Sequence, residues 1–79
     1  VGQMAAKAFV LIETAVGKTK EVVVSLEQIE DVKSVDTVTG PYDIITTIEA
    51  ETLSNIGDVV TGKIHTTGGI SRTVTCLVV

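Results

Sequence analysis

Aromatic side chains are almost missing: Phe9 and Tyr42 are the only rings, and there is no tryptophan. Two rings make no platform on which bases can stack. Positive charge is equally thin. Lys7, Lys18, Lys20, Lys33, Lys63 and Arg72 lie scattered along a chain of net charge −4. Phosphate backbones are held by clustered cations, so direct contact with nucleic acid is not expected. Cysteine occurs once, at Cys76, which excludes an internal disulfide. The single histidine, His65, has no second histidine or acid at metal-ligand spacing, so no metal or other cofactor is expected. No signal peptide and no membrane-length apolar run is present, which points to the cytoplasm and away from membranes.

What the chain has instead is aliphatic. Of its 79 residues 44% are hydrophobic, and mean hydropathy is +0.46, supplied by Val, Ile, Leu and Ala. A single domain of this size buries only about 60–65% of its unfolded surface and is marginal alone. Association with further copies is the natural outlet for the remaining apolar area. Val1-Gly2-Gln3 ahead of Met4 read as an expression remnant, which leaves one domain over 4–79.

Lys7 to Thr14 is β-rich and reads as a first strand, broken by Gly17. Lys18 to Glu30 shows helical spacing, with Val22, Leu26 and Ile29 on one face. Val32 to Thr39 and Tyr42 to Ala50 read as two strands of an antiparallel hairpin joined at Gly40-Pro41. Thr52 is a candidate N-cap for a second helix with the stripe Leu53, Ile56, Val60 and Ile64. Gly68-Gly69 ends that helix, and Ile70 to Val79 reads as a fourth strand. The halves match: Ile12-Glu13 corresponds to Ile48-Glu49, and Val32 to Ile70. The order β-α-β-β-α-β defines an α+β, ferredoxin-like fold, a four-stranded antiparallel sheet with two helices on one face.

That architecture leaves the other sheet face bare. Alternation puts Tyr42, Ile44, Thr46 and Ile48 on one side of the third strand and Asp43, Ile45, Thr47 and Glu49 on the other. On the fourth, Ile70, Arg72, Val74 and Cys76 oppose Ser71, Thr73, Thr75 and Leu77. Neither side is cleanly polar, as a solvated face should be. Two sheets are therefore expected to stack into a dimer.

The densest chemistry is Thr39-Gly40-Pro41-Tyr42-Asp43, three turn formers with a ring and a carboxylate. A glycine free to take positive φ, followed by a proline of fixed φ, makes a rigid corner that can present Tyr42 and Asp43. Val38-Thr39-Gly40-Pro41-Tyr42-Asp43 resembles the Thr-Gly-x-Tyr-Asp hairpin of the effector-binding, oligomerising (RAM) domain of the Lrp/AsnC transcription regulators. Gly69-Ile70-Ser71-Arg72-Thr73-Val74-Thr75 resembles the same family's Gly-Val-x-x-Thr-x-Thr opening of the last strand, and Gly17-Lys18 also fits. The resemblance spans Ala8 to Val79. It implies a dimeric α/β barrel assembling into higher oligomers, with small effectors, usually amino acids, bound in clefts between dimers near the hairpin. The helix-turn-helix half that normally precedes this domain is missing, so a stand-alone sensing and assembly module is expected, able to co-assemble with full-length regulators.

In such a site Asp43 would pair with the ammonium of an amino acid, and the backbone N–H groups of Gly40 and Tyr42 would receive its carboxylate. Thr73 and Thr75 would add hydroxyls from a neighbouring dimer. The plainer alternative is that Asp43 bonds hairpin amides and Tyr42 fills an interface. Arg72 fits either a carboxylate ligand or a cross-strand ion pair with Asp36 or Glu13. His65 suits a helix end, Cys76 a small core position, and the acids Glu27, Glu30 and Asp31 a solvated helix end. Two other classes compete: a purely structural assembly module without ligand, and a small dimeric α/β-barrel enzyme. One histidine, no tryptophan and no nucleophile-elbow motif leave little for catalysis, so no enzyme activity is expected.

Overall fold

The computed structural model describes residues 5–79; Met4 and Val1-Gly2-Gln3, expected above to be a remnant, lie outside the described residues. The order is β1 (Ala6–Thr14), α1 (Thr19–Glu27), β2 (Val32–Thr37), β3 (Ile44–Ala50), α2 (Leu53–Val59), a π-helical turn Val60–Ile64, and β4 (Ile70–Leu77). The strands form one sheet in the order β2-β3-β1-β4, and all three pairings are antiparallel. This is the expected ferredoxin-like β-α-β-β-α-β fold.

Pairing of the two central strands sets the core. Ala8, Val10 and Ile12 of β1 align with Ile48, Thr46 and Ile44 of β3, so six inward side chains form a continuous floor. Val22 and Leu26, one turn apart on α1, and Ile56, Val59, Val60 and Ile64 cover it. The one buried polar residue among the described residues, Thr46, donates its hydroxyl to the Ser34 carbonyl at 2.6 Å. That carbonyl follows a bulge, where Lys33 is the extra residue between the pairs Val32–Ile48 and Ser34–Thr47. Thr46→Val keeps the shape and removes this bond, so it should cost about 1–2 kcal/mol in chemical denaturation. An unchanged midpoint would show that the bond contributes nothing.

Both helices are shorter than their apolar spacing predicts. Gln28 and Ile29 donate to the Ser25 and Leu26 carbonyls, three residues back, and this tightened turn ends α1 before Ile29, which remains half-buried against the core. Thr52 caps α2 as expected, its hydroxyl accepting from the Asn55 N–H at 3.1 Å. Past Val59 the winding loosens, and His65 N–H reaches the Val60 carbonyl five residues back. The looser turn buries Val59 and Val60 together, whereas Leu53, placed on the apolar stripe by spacing, is 57% exposed.

The second sheet face is open and half apolar. Phe9, Leu11 and Glu13 of β1 are flanked by Thr47 and Ile45 of β3 and by Cys76, Val74 and Arg72 of β4. Leu11, Ile45 and Val74 are half-buried within the single chain, and Phe9 is 37% exposed. Cys76, expected in the core, is exposed on this face opposite Phe9, because β4 is an edge strand with no layer over it. A second bulge changes the assignment of β4. Thr14 pairs with Ile70 and Glu13 with Arg72, so Ser71 is extra. Ile70 therefore packs on the core side, while Arg72 lies on the open side.

Candidate functional site

The corner between β2 and β3 is closed from both sides. Val38 N–H donates to the Asp43 carbonyl at 2.9 Å, and Asp43 N–H donates to the Ile12 carbonyl of β1 at 2.9 Å. Gly40 has φ of +121°, a conformation that side chains resist, although a Cβ there would meet nothing within 4 Å. The requirement at this position is torsional. Gly40 and Pro41 are exposed, while Tyr42 and Asp43 are half-buried.

Asp43 is anchored as well as displayed. Its Oδ2 accepts from the Thr14 N–H at 2.8 Å and the Thr14 hydroxyl at 3.1 Å. The Thr14 hydroxyl in turn lies 2.8 Å from that of Thr19, the first residue of α1. The carboxylate thus ties the corner to the end of β1 and the start of α1. Its amide partner belongs to β1 rather than to the hairpin, which local turn patterns do not reveal. Oδ1 takes part in none of these bonds.

Tyr42 precedes β3, so strand alternation does not govern it, and its hydroxyl reaches the open side of the sheet. There it accepts from Arg72 Nη2 at 3.0 Å, with the guanidinium carbon 5.5 Å from the ring centroid. Stacked, hydrogen-bonded arginine is held in orientation, and the cation–π contact at an exposed site contributes about 0.5–1 kcal/mol. The ion pair expected for Arg72 with Asp36 or Glu13 is not formed. Glu13 is its register partner, yet the ion pairs among the described residues are Lys18–Glu21 and Lys63–Asp31. Tyr42 offers both an acceptor and a ring face, and the guanidinium takes both.

The predicted site residues fall into two groups within one subunit. Gly40, Tyr42 and Asp43 share the corner and are joined by Arg72. Thr73 and Thr75 align with Ile12 and Val10, which places them on the helix side of β4. The Thr73 hydroxyl lies 3.1 Å from His65 Nε2, so His65 is engaged just beyond the helical segment. Thr75 lines an apolar groove of about 290 Å³ with Leu53, Ile56, Val60 and Leu77. A larger, open hollow of about 1020 Å³ lies near the other end of β3, among Asp31, Lys33, Glu49, Asp58 and Lys63. From Ile44 to Ala50 the strand runs roughly 20 Å, so this hollow is remote from the corner. Among the described residues no cluster of three or more His, Cys, Asp or Glu could hold a metal ion, and no helix is long and apolar enough to cross a membrane.

A four-stranded antiparallel sheet with two helices on one face and a clamped Gly-Pro-Tyr-Asp corner makes this an α+β domain of the ferredoxin-like class. The sequence profile of the Lrp/AsnC ligand binding domain matches residues 7–79, and the chain belongs to that family. Among solved structures it is similar to a hypothetical protein from Pyrococcus horikoshii, with 35% identity, a TM-score of 0.88, and 94% of this chain and 89% of that one covered. TTHA0845 from Thermus thermophilus is 31% identical, with a TM-score of 0.89 and coverage of 94% and 92%. A feast or famine regulatory protein from M. tuberculosis, complexed with L-methionine, is 25% identical with a TM-score of 0.77. There the match covers 94% of this chain and 50% of that one. Among curated protein sequences none matches the chain. The family is thus one of ligand-binding domains, and the M. tuberculosis neighbour is a regulatory protein.

Proposed function

We propose that this chain is a sensing and assembly module in transcription regulation that takes an amino acid or similar small effector at the hairpin corner. The observation that carries this reading is the corner itself, in a family of ligand-binding domains. A carboxylate with one uncommitted oxygen, a phenol, and the N–H groups of Gly40 and Tyr42 sit on five clamped residues. Asp43 pairs with the effector's ammonium, and the two N–H groups meet its carboxylate. Two copies stack through their open sheet faces into a dimeric α/β barrel, and dimers assemble further. Thr73 and Thr75 then come to the pocket from a neighbouring dimer. Domain 4–79 itself makes no contact with DNA, and it co-assembles with other regulators of the same family.

Thermal unfolding against the twenty common amino acids tests the reading. An effector at 100 times its dissociation constant adds about 2.7 kcal/mol. In a domain of this size that raises the midpoint by roughly 10–20 °C. Asp43→Ala would also sever the Thr14 anchor, so Asp43→Asn is the sharper variant: it keeps an acceptor for Thr14 and removes the charge. The expected result is loss of the effector-induced shift with the dimer intact. A shift that survives Asp43→Asn assigns the ammonium to another group, and a panel in which no amino acid shifts the midpoint favours a purely structural module.

A further inference from the structure

We infer that Arg72 receives the effector's carboxylate and makes the site select free amino acids over their amides and amines; this rests on the corner being the effector site. Arg72 is the only arginine in the chain. It is in neither of the ion pairs among the described residues, although Glu13 stands opposite it in register. The guanidinium turns instead to Tyr42, donating one hydrogen bond at 3.0 Å and lying over the ring. A guanidinium has five N–H donors, so most of the fork remains for a ligand. The hydrogen bond to Tyr42 and the contact with its ring hold that fork at the corner in advance, and a planar fork matches a carboxylate through two parallel hydrogen bonds.

The surrounding charge strengthens the case. A chain of net charge −4 repels anions over its surface as a whole. An anionic group is therefore accepted only where a cation is placed for it and not neutralised by a neighbouring acid. Tyr42 holds that cation through its hydroxyl and is followed directly by Asp43, the acid assigned to the ammonium. A cation at the Tyr42 hydroxyl and an acid on the next residue thus give the corner one charge of each sign. Backbone N–H groups at Gly40 and Tyr42 add donors but no net charge, so they cannot by themselves distinguish a carboxylate from an amide as sharply.

Calorimetric titration of the best-binding common amino acid, its α-carboxamide and its decarboxylated amine tests the assignment. The unchanged chain should bind the amino acid about tenfold to a hundredfold more tightly than the amide or amine. Arg72→Gln should lose that factor for the amino acid and leave the amide and amine unchanged, while Arg72→Lys recovers part of it. Solution mass of Arg72→Gln should match the unchanged chain. Equal weakening of all three ligands, no weakening of the amino acid, or a fall in mass would each overturn the role and return Arg72 to packing. Failure of the unchanged chain to bind any common amino acid is a separate result, which removes the effector reading itself.

Discussion

Leu11→Glu should turn the assembled protein into folded monomers. Leu11 sits at the middle of β1 on the open face, between Ile45 of β3 and Val74 of β4. These three half-buried aliphatic side chains are the centre of the surface that a second copy covers in the proposed barrel. A twofold interface carries each substitution twice. Two unpaired carboxylates withdrawn from water there cost about 4 kcal/mol or more together, which weakens the dimer roughly a thousandfold. The helix-covered core does not include Leu11, so far-ultraviolet circular dichroism should be unchanged. Light scattering reads the mass. A dimer that persists in this variant would place the contact surface elsewhere.

Gly69→Ala should have the largest effect on stability of any one-methyl addition. Gly69 has φ of +92°, and a Cβ there would lie 3.0 Å from both Lys18 Cβ and Val22 Cγ2. Neither atom is the free end of a flexible side chain, and Val22 is fully buried. The Gly69 carbonyl also accepts from the Ala15 N–H at 2.8 Å, so any shift is passed to the β1–α1 connection. Backbone strain of about 1–2 kcal/mol and crowding of about 1–3 kcal/mol together take a large share of the roughly 4–12 kcal/mol expected for a chain this long. Gly68→Ala is the control, because a Cβ there meets nothing within 4 Å. Urea midpoints should fall sharply for the first variant and hardly for the second. Equal midpoints would mean that α1 gives way freely.

The two glycines also show where the sequence was legible. Alternation on β3 placed Ile44, Thr46 and Ile48 correctly on one face, and all three are fully buried. Spacing found Val22 and Leu26 on α1, and the Thr52 cap was readable because a cap is a local event. The errors involve an added residue, a distant partner or, for Cys76, a sheet face with no layer over it. The bulge at Ser71 puts Ile70 and Arg72 on opposite faces although they share a parity, and nothing in Gly-Ile-Ser-Arg marks it. Ile56, Val60 and Ile64 of the second stripe are buried as spacing predicts, whereas Leu53, in the first turn of α2, is exposed. Strand position offers Asp36 and Glu13 to Arg72, while its partner Tyr42 belongs to a loop whose place depends on the whole sheet. The corner residues were visible as a motif; that Asp43 anchors to Thr14 of β1 required the fold.

Solution mass at micromolar concentration, with and without a pooled amino acid mixture, bears most directly on the claim that copies of this chain must meet through the bare side of the sheet. The expected reading is a dimer or an even multiple of it, its distribution altered by the mixture. A stable single subunit under both conditions, with Phe9, Leu11, Ile45 and Val74 left in water, would contradict it.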